Sequence, residues 1–388
     1  MHREARGIDG FQEAVMVGVG LIGTGFMGKC HALAYRAVSA VFGDVAAPRL
    51  AVLCDTPAEA AERFARQFGF ARATADWRDL VADPAVDLVS ITTPNRLHSE
   101  MALAALAAGK HVYCEKPLGL TLEEAEAMAA AAAEAGVVTQ VGYNYLKNPA
   151  FQHAQRLVAE GAIGRIVQFR GIVDEDYMAD PALPWSWRCR SDEAGLGALG
   201  DLGCHLVSLA QALCGPIRTL CADMQTVHAT RPMPDGTGEG PVENEDVATA
   251  LVRFESGVAG MLTTSRAAWG RKGRLAFEIH GSAGMIAFDQ ERMNELQLFQ
   301  AEPDRSRHGF RTILTGPAHE PYGAFTPAPG HGLGFNDQKT IEVAGLLRAI
   351  AGRGRASPDF EEALGIERVI HAIARSAREG GGWVRLDA

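Results

Sequence analysis

Three polar residues carry types and spacings that suit proton and hydride chemistry. Lys116 stands between Glu115 and Pro117 at the end of an apolar segment. An ammonium fixed there can steady an oxygen that gains negative charge. If burial lowers its pKa towards ~7–8, it can also exchange a proton with an alcohol or ketone. Asp201 and His205 lie four apart in Gly-Asp-Leu-Gly-Cys-His, so a helix presents both to one substrate group. Two other readings compete: an acidic helix start beside a satisfied core histidine, and a two-ligand metal site. No further His or Cys is spaced locally to complete a metal site, so the catalytic reading, without a metal, is the one adopted.

These groups need a partner to take electrons, and the N-terminal segment offers a place for one. Residues 15 to 22 read as a buried strand, followed by Gly23, Thr24, Gly25, Phe26, Met27 and Gly28 and then a helix over Lys29 to Val38. Gly23 permits a tight turn, Gly25 lets backbone N–H groups approach a pyrophosphate, and Gly28 lets the helix pack on the strand. Phosphates would meet the helix's positive end. A glycine turn without a ligand is the bland alternative, and the strand–turn–helix context argues against it. Asp55, followed by Thr56, ends the next strand candidate; its carboxylate suits two ribose hydroxyls and repels a 2′-phosphate. NAD is therefore favoured, with NADP the alternative because Arg49 and Arg63 are near in sequence.

The elements that position these residues alternate. Strand candidates at Arg49 to Cys54, Val86 to Ile91, His111 to Cys114 and Val137 to Val141 are separated by helices over Pro57 to Phe68, Arg96 to Ala107 and Thr121 to Ala135. This predicts a doubly wound parallel sheet over residues 1–145. Its strand ends collect Gly23 to Gly28, Asp55, Thr92-Thr93-Pro94-Asn95, Glu115-Lys116 and Gly142-Tyr143-Asn144 on one edge, where open parallel sheets bind ligands. Over 146–388 the pattern changes to Ile166 to Val173, Ile217 to Val227, Val247 to Phe254, Val258 to Ser265, Arg274 to His280 and Met285 to Asp289, linked by turns such as Glu255-Ser256-Gly257. An α+β domain with an open-faced, mostly antiparallel sheet follows. Helices near Gly200 to Cys214, Asp337 to Ala351 and Glu361 to Arg378 accompany it, the last two free to pack back on the first domain. Ala301 to Gly334 reads as one long loop.

Trp185, Trp187 and Arg188 precede the Asp201 helix. An indole face suits the apolar side of a sugar ring and arginine its oxygens, while a tryptophan plug between domains is the structural reading. Tyr143, His331 and Asn336 are further pocket candidates. With 47% hydrophobic and 22% charged residues, the chain is globular in composition. A net charge of −10 opposes nucleic-acid binding. No run reaches the ~18 apolar residues of a membrane span, and Met1 to Ala14 lacks a signal peptide's apolar core. Seven scattered cysteines without a CxxC pair agree with a reducing, cytoplasmic setting.

In order along the chain, GTGFMGKCHA (23 to 32), TTPNRLH (92 to 98), EKPLGLT (115 to 121), GYN (142 to 144) and GALGDLGCH (197 to 205) resemble the glucose-fructose oxidoreductase, inositol dehydrogenase and MocA family. The resemblance implies a Rossmann domain and an open-sheet domain, assembled as a homo-oligomer, dimer or tetramer, through that sheet. It implies oxidation of a ring secondary alcohol of a sugar, anhydrosugar or cyclitol with NAD or NADP. Lys116, Asp201 and His205 match the family's catalytic set, and His98 falls within its cofactor-side motif. His205 is the candidate general base, with Lys116 bonding the reacting oxygen and Asp201 a neighbouring hydroxyl; the alternative is that Lys116 and His205 exchange roles. Ser208 replaces a frequent aspartate, and Tyr145-Leu146-Lys147 replaces a frequent arginine. NAD-dependent glycosidases, non-catalytic dinucleotide sensors and NADPH-dependent imine or aldehyde reductases are the alternatives the same resemblance leaves.

Overall fold

The computed structural model describes residues 16–386; Val15, the polar start Met1 to Ala14 and the last two residues lie outside them. Six strands build the first sheet: β1 (Gly18–Ile22), β2 (Arg49–Cys54), β3 (Arg72–Thr74), β4 (Leu88–Ile91), β5 (His111–Cys114) and β6 (Thr139–Val141). All pairings are parallel, in the order β3-β2-β1-β4-β5-β6, so the order reverses beside β1 and opens a crevice there. Helices α1 (Phe26–Val41), α2 (Ala58–Phe68), α3 (Trp77–Ala82), α4 (His98–Ala107) and α5 (Leu122–Ala135) connect the strands. β1 is buried at every position, as a strand covered on both faces must be.

Strand β3 and helix α3 were not anticipated. Arg72-Ala73-Thr74 is a three-residue edge strand with no buried position, too short and too polar to show a period. Helix α6 (Pro149–Ala159) was also missed, although Asn148 caps it by accepting from the Ala150 N–H (2.8 Å) with proline in the first turn.

Nine strands form the second sheet. They are β7 (Ile166–Asp174), β8 (Ile217–Gln225), β11 (Val247–Phe254), β12 (Ala259–Ser265), β13 (Arg274–Gly281), β14 (Gly284–Asp289), β15 (Glu295–Gln300), β16 (Arg311–Leu314) and β17 (Val384–Arg385); β9 (Thr230–Pro232) and β10 (Glu239–Pro241) pair separately. The order is β16-β15-β14-β13-β7-β12-β11-β8-β17, with β7 in the middle. Every pairing is antiparallel except β7 with β12, so the sheet is mixed. That pair is separated in sequence by α7 (Ser191–Ala194), α8 (Cys204–Cys214) and the strands β8 to β11, long enough for a crossover. Ala301 to Gly334 is not one loop, since it holds β16 and the short helix α9 (Tyr322–Phe325).

Helices α10 (Phe335–Ile350) and α11 (Phe360–Arg378) return to the first domain. α10 lies along α1, where Arg348 clasps Asp44 through two bonds of 2.7 and 2.8 Å. α11 packs between α5 and β8. Ser191–Cys214 is long and apolar enough to cross a membrane by composition, and it is mostly buried in the protein.

Candidate active site

Gly25 precedes α1 with no side-chain cap, and the first turn holds no acidic residue. Its free N–H groups therefore remain available to an anion. Gly23 has φ +95°, and a Cβ on Gly28 would lie 2.2 Å from the Gly23 carbonyl oxygen, so both must be glycine. A Cβ on Gly25 would meet no protein atom within 4 Å, which leaves that side open for a ligand. The turn floors a cavity of about 650 Å³ that also takes in Asp55, Thr56, Thr92, Thr93, Pro94, Asn95, Trp187 and Arg188. Asp55 accepts from the Thr24 N–H (2.9 Å) and hydroxyl and from the Thr56 N–H (2.6 Å). Arg49 bonds the Ala85 carbonyl and Arg63 lies over Phe64, so neither arginine reaches this wall. These residues fit a dinucleotide with an unphosphorylated ribose.

A second cavity of about 520 Å³ adjoins the first, and Lys116, Asp201, Phe26, Met27 and Arg188 line both. Lys116 follows β5 and donates to Asp201 twice, to Oδ1 (2.8 Å) and to the backbone carbonyl (2.7 Å). The other Asp201 oxygen accepts from the Tyr177 hydroxyl (2.7 Å). Asp201 sits on a π-helical turn, Leu199–Gly203, that runs directly into α8. His205, on the first turn of α8, is 6% exposed and its Nδ1 has no partner. Its ring meets the edges of Tyr145 and Tyr143 at 4.7 and 5.7 Å.

The electrostatics reverse one expectation. Burial alone would lower the Lys116 pKa, but the adjacent Asp201 carboxylate outweighs it and holds the ammonium above the ordinary lysine range. Asp201 is driven the opposite way: burial opposes its charge, and Lys116 with the Tyr177 hydroxyl more than compensates, so it stays ionised. His205 is lowered well below the usual imidazole value by burial first and by the Lys116 charge second. The site thus presents a fixed cation, a fixed anion and a neutral imidazole.

Some candidates lie elsewhere. Trp187 stacks under Arg188 (4.6 Å) on the nucleotide side, away from the second cavity. Trp185 packs on Met178, Cys189 and Val242 as a plug. Tyr143 is fully buried behind His205. His98 is also buried, its two ring nitrogens held by the Pro117 and Thr93 carbonyls, so it braces the wall without facing the cavity. His331 is exposed, its carbonyl accepting from Tyr322, and lines neither cavity; Asn336 is likewise exposed outside them. Sequence reasoning missed Tyr145, Glu175, Tyr177 and Phe335. Tyr145 stood in plain view beside Gly142-Tyr143-Asn144, and the Phe335 ring, stacked on Phe26 at 5.6 Å, supplies an aromatic wall expected of tryptophan.

Among the described residues no cluster of three or more His, Cys, Asp or Glu is placed to hold a metal. The profile of the oxidoreductase family with an NAD-binding Rossmann fold matches residues 17–143, and that of the GFO/IDH/MocA C-terminal domain matches 151–287. The chain belongs to the Gfo/Idh/MocA oxidoreductase family. Levoglucosan dehydrogenase of Pseudarthrobacter phenanthrenivorans is 42% identical over 380 residues, 94% of this chain and 97% of that one. A solved levoglucosan dehydrogenase in complex with NADH and levoglucosan superposes with a TM-score of 0.93 at 42% identity, covering 96% of this chain and all of the other. An NAD-binding oxidoreductase from Klebsiella pneumoniae gives 0.92 at 44% identity over the same shares.

Proposed function

We propose that the chain is an NAD-dependent dehydrogenase that oxidises a ring secondary alcohol of a sugar, anhydrosugar or cyclitol, with Lys116, Asp201 and His205 as the working residues. The observation that carries this reading is the meeting of a buried Lys116–Asp201 pair and an unpartnered neutral imidazole where the two cavities join. The levoglucosan relative supports an anhydrosugar as the first substrate to try. Nicotinamide, when bound, supplies the hydride acceptor. Lys116 donates to the reacting oxygen and stabilises its developing charge. Neutral His205 takes the hydroxyl proton, a role the permanently charged Lys116 is poorly suited to fill. Asp201 holds the ammonium in place and accepts from a neighbouring hydroxyl.

The Asp55 carboxylate selects against a 2′-phosphate, so the preferred cofactor is NAD. The working unit is a cytoplasmic homo-oligomer joined through the open sheet face, where the cross-strand partners Leu251 and Met261 and nearby Val167 are exposed. The test is NADH production from NAD with levoglucosan, inositols, pyranoses and sugar acids. Steady net NADH with one of these is the expected result. Turnover without net NADH would assign a glycosidase cycle instead, and no reaction across the panel would end the proposal.

A further inference from the structure

The end of β7, the middle strand of the open sheet, brings a carboxylate into the substrate cavity that the reaction above does not use. Glu175 has its backbone fixed on both sides, its N–H donating to the Ser265 carbonyl and its own carbonyl accepting from the Ala268 N–H, each at 2.9 Å. Its half-buried side chain lines the same cavity as Lys116, Asp201 and His205. Among the described residues that carboxylate has no hydrogen bond and no ion pair.

The charged side chains nearest to it in sequence and across the cavity are engaged elsewhere. Asp176 holds Lys272 (2.5 Å) and the Gly270 N–H (3.1 Å), Arg271 holds Glu291 (2.9 Å), and Asp201 is shared by Lys116 and Tyr177. Arg188, the other cation lining this cavity, lies over the Trp187 ring, and among the described residues no cation pairs with Glu175. A half-buried acceptor without a donor is costly to keep, and a polyhydroxylated ring brings donors of the right kind: two adjacent hydroxyls can fill both carboxylate oxygens.

We propose that Glu175 contacts the substrate directly, binding one or two ring hydroxyls beyond the reacting carbon, and thereby sets which sugar or cyclitol the enzyme accepts. This rests on the dehydrogenase reading above. Burial, and then the nearby Asp201 charge, hold its carboxyl up at about 7, with Lys116, Asp176 and Tyr145 the other titratable groups that face it. A carboxyl so poised gains from hydroxyl donors that favour its charged form. No redox or covalent step is involved.

Glu175→Gln keeps the shape of the side chain and removes its charge, and Glu175→Ala removes the contact. With levoglucosan and a panel of inositols and deoxysugars as probes, Gln should raise the sugar KM roughly ten- to hundredfold. The KM for NAD should stay at its wild-type value, and the substrate ranking should change. A deoxysugar lacking the contacted hydroxyl should lose less in the variants than the parent sugar does. An unchanged sugar KM and ranking in both variants, with wild type active, would overturn this assignment alone. A wild type that reduces NAD with no member of the panel would overturn the dehydrogenase reading and this one with it.

Discussion

Glu367 on α11 should make the protein lose stability as the pH rises, and one isosteric change should remove the effect. The residue is fully buried, with Oε1 accepting from the Leu118 N–H (2.7 Å) and Oε2 without a hydrogen bond. His371 stands 3.7 Å from Oε2, but its own burial lowers its pKa and disfavours the cation. Burial pushes the Glu367 carboxyl up from 4.5 to about 8. At ~1.4 kcal/mol per pH unit this gap amounts to about 5 kcal/mol. The folded form keeps its proton where the unfolded chain has released it. The favourable contribution is therefore complete below pH 4.5, declines as the pH rises, and is gone above about 8. Glu367→Gln keeps the acceptor for Leu118 and never ionises. With an unfolding entropy of ~2.1 cal/mol/K per residue, a chain this long shifts its Tm by about 1 °C per kcal/mol. The variant should melt about 5 °C above wild type at pH 9 and within about 1 °C of it at pH 5. Calorimetry at the two pH values measures this directly. An equal difference at both, or a variant less stable at pH 9, would refute the reasoning. The outcome bears on the site because Leu118 lies two residues beyond Lys116.

Three other substitutions test separate parts of the structure. His205→Asn should lower turnover roughly 10²–10⁴-fold while NADH fluorescence titration gives the wild-type affinity. In the wild type, the acid limb of kcat for alcohol oxidation should lie below pH 6.5, because the neutral imidazole is the competent form and its pKa is lowered. Gly28→Ala should weaken NADH binding at least roughly tenfold, a loss of about 1.4 kcal/mol, because its Cβ collides with the Gly23 carbonyl and the turn must shift. Lys339→Met should lower stability by about 3–5 kcal/mol in denaturant titration, since it strands the Glu115 and Glu342 carboxylates inside the fold.

Legibility followed sequence distance. β2, β5 and β11 have the bounds their apolar runs and flanking turns indicate. The glycine turn was plain because its steric demands are local. β15 has no counterpart in the sequence reading although Glu295-Leu-Gln-Leu alternates and buries Leu296 and Leu298, whereas β16, inside the expected Ala301 to Gly334 loop, is nearly all exposed and is defined by its pairing with β15. The strand ends of the parallel sheet share an edge by topology, so Asp55, Thr92 and Lys116 could be gathered from order alone. No such rule covers the mixed sheet, and the contribution of β7's end to the cavity through Glu175 and Tyr177 stayed hidden. The lysine's charge was misread for a related reason. Burial was foreseeable from its position, whereas the Asp201 contact that outweighs burial spans 85 residues.

The same long reach governs what holds Lys116 in place. Its neighbour Glu115 is buried with one oxygen between His31 Nε2 (2.8 Å) and Lys339 Nζ (2.6 Å). Lys339 also bonds Glu342 (2.9 Å) and the Tyr113 hydroxyl (3.1 Å). Gly142 leaves the space, since a Cβ there would lie 2.5 Å from Glu115. Positions 31, 142 and 339 thus fix the lysine's backbone to the parallel-sheet domain, while Asp201 and His205 ride on the π-turn and α8 beside the mixed sheet. Lys116–Asp201 is therefore a contact between the two domains, joined at the cleft's other wall by Arg96–Glu193 (2.5 Å) and by Asn95 donating to the Ala194 carbonyl (3.0 Å). Behind these contacts one apolar core runs from Val89, Val112 and Leu118 beside the parallel sheet into Phe169, Leu206 and Leu262 beside the mixed sheet, so ammonium and carboxylate are held together at the mouth of a joint that is packed on its inner side.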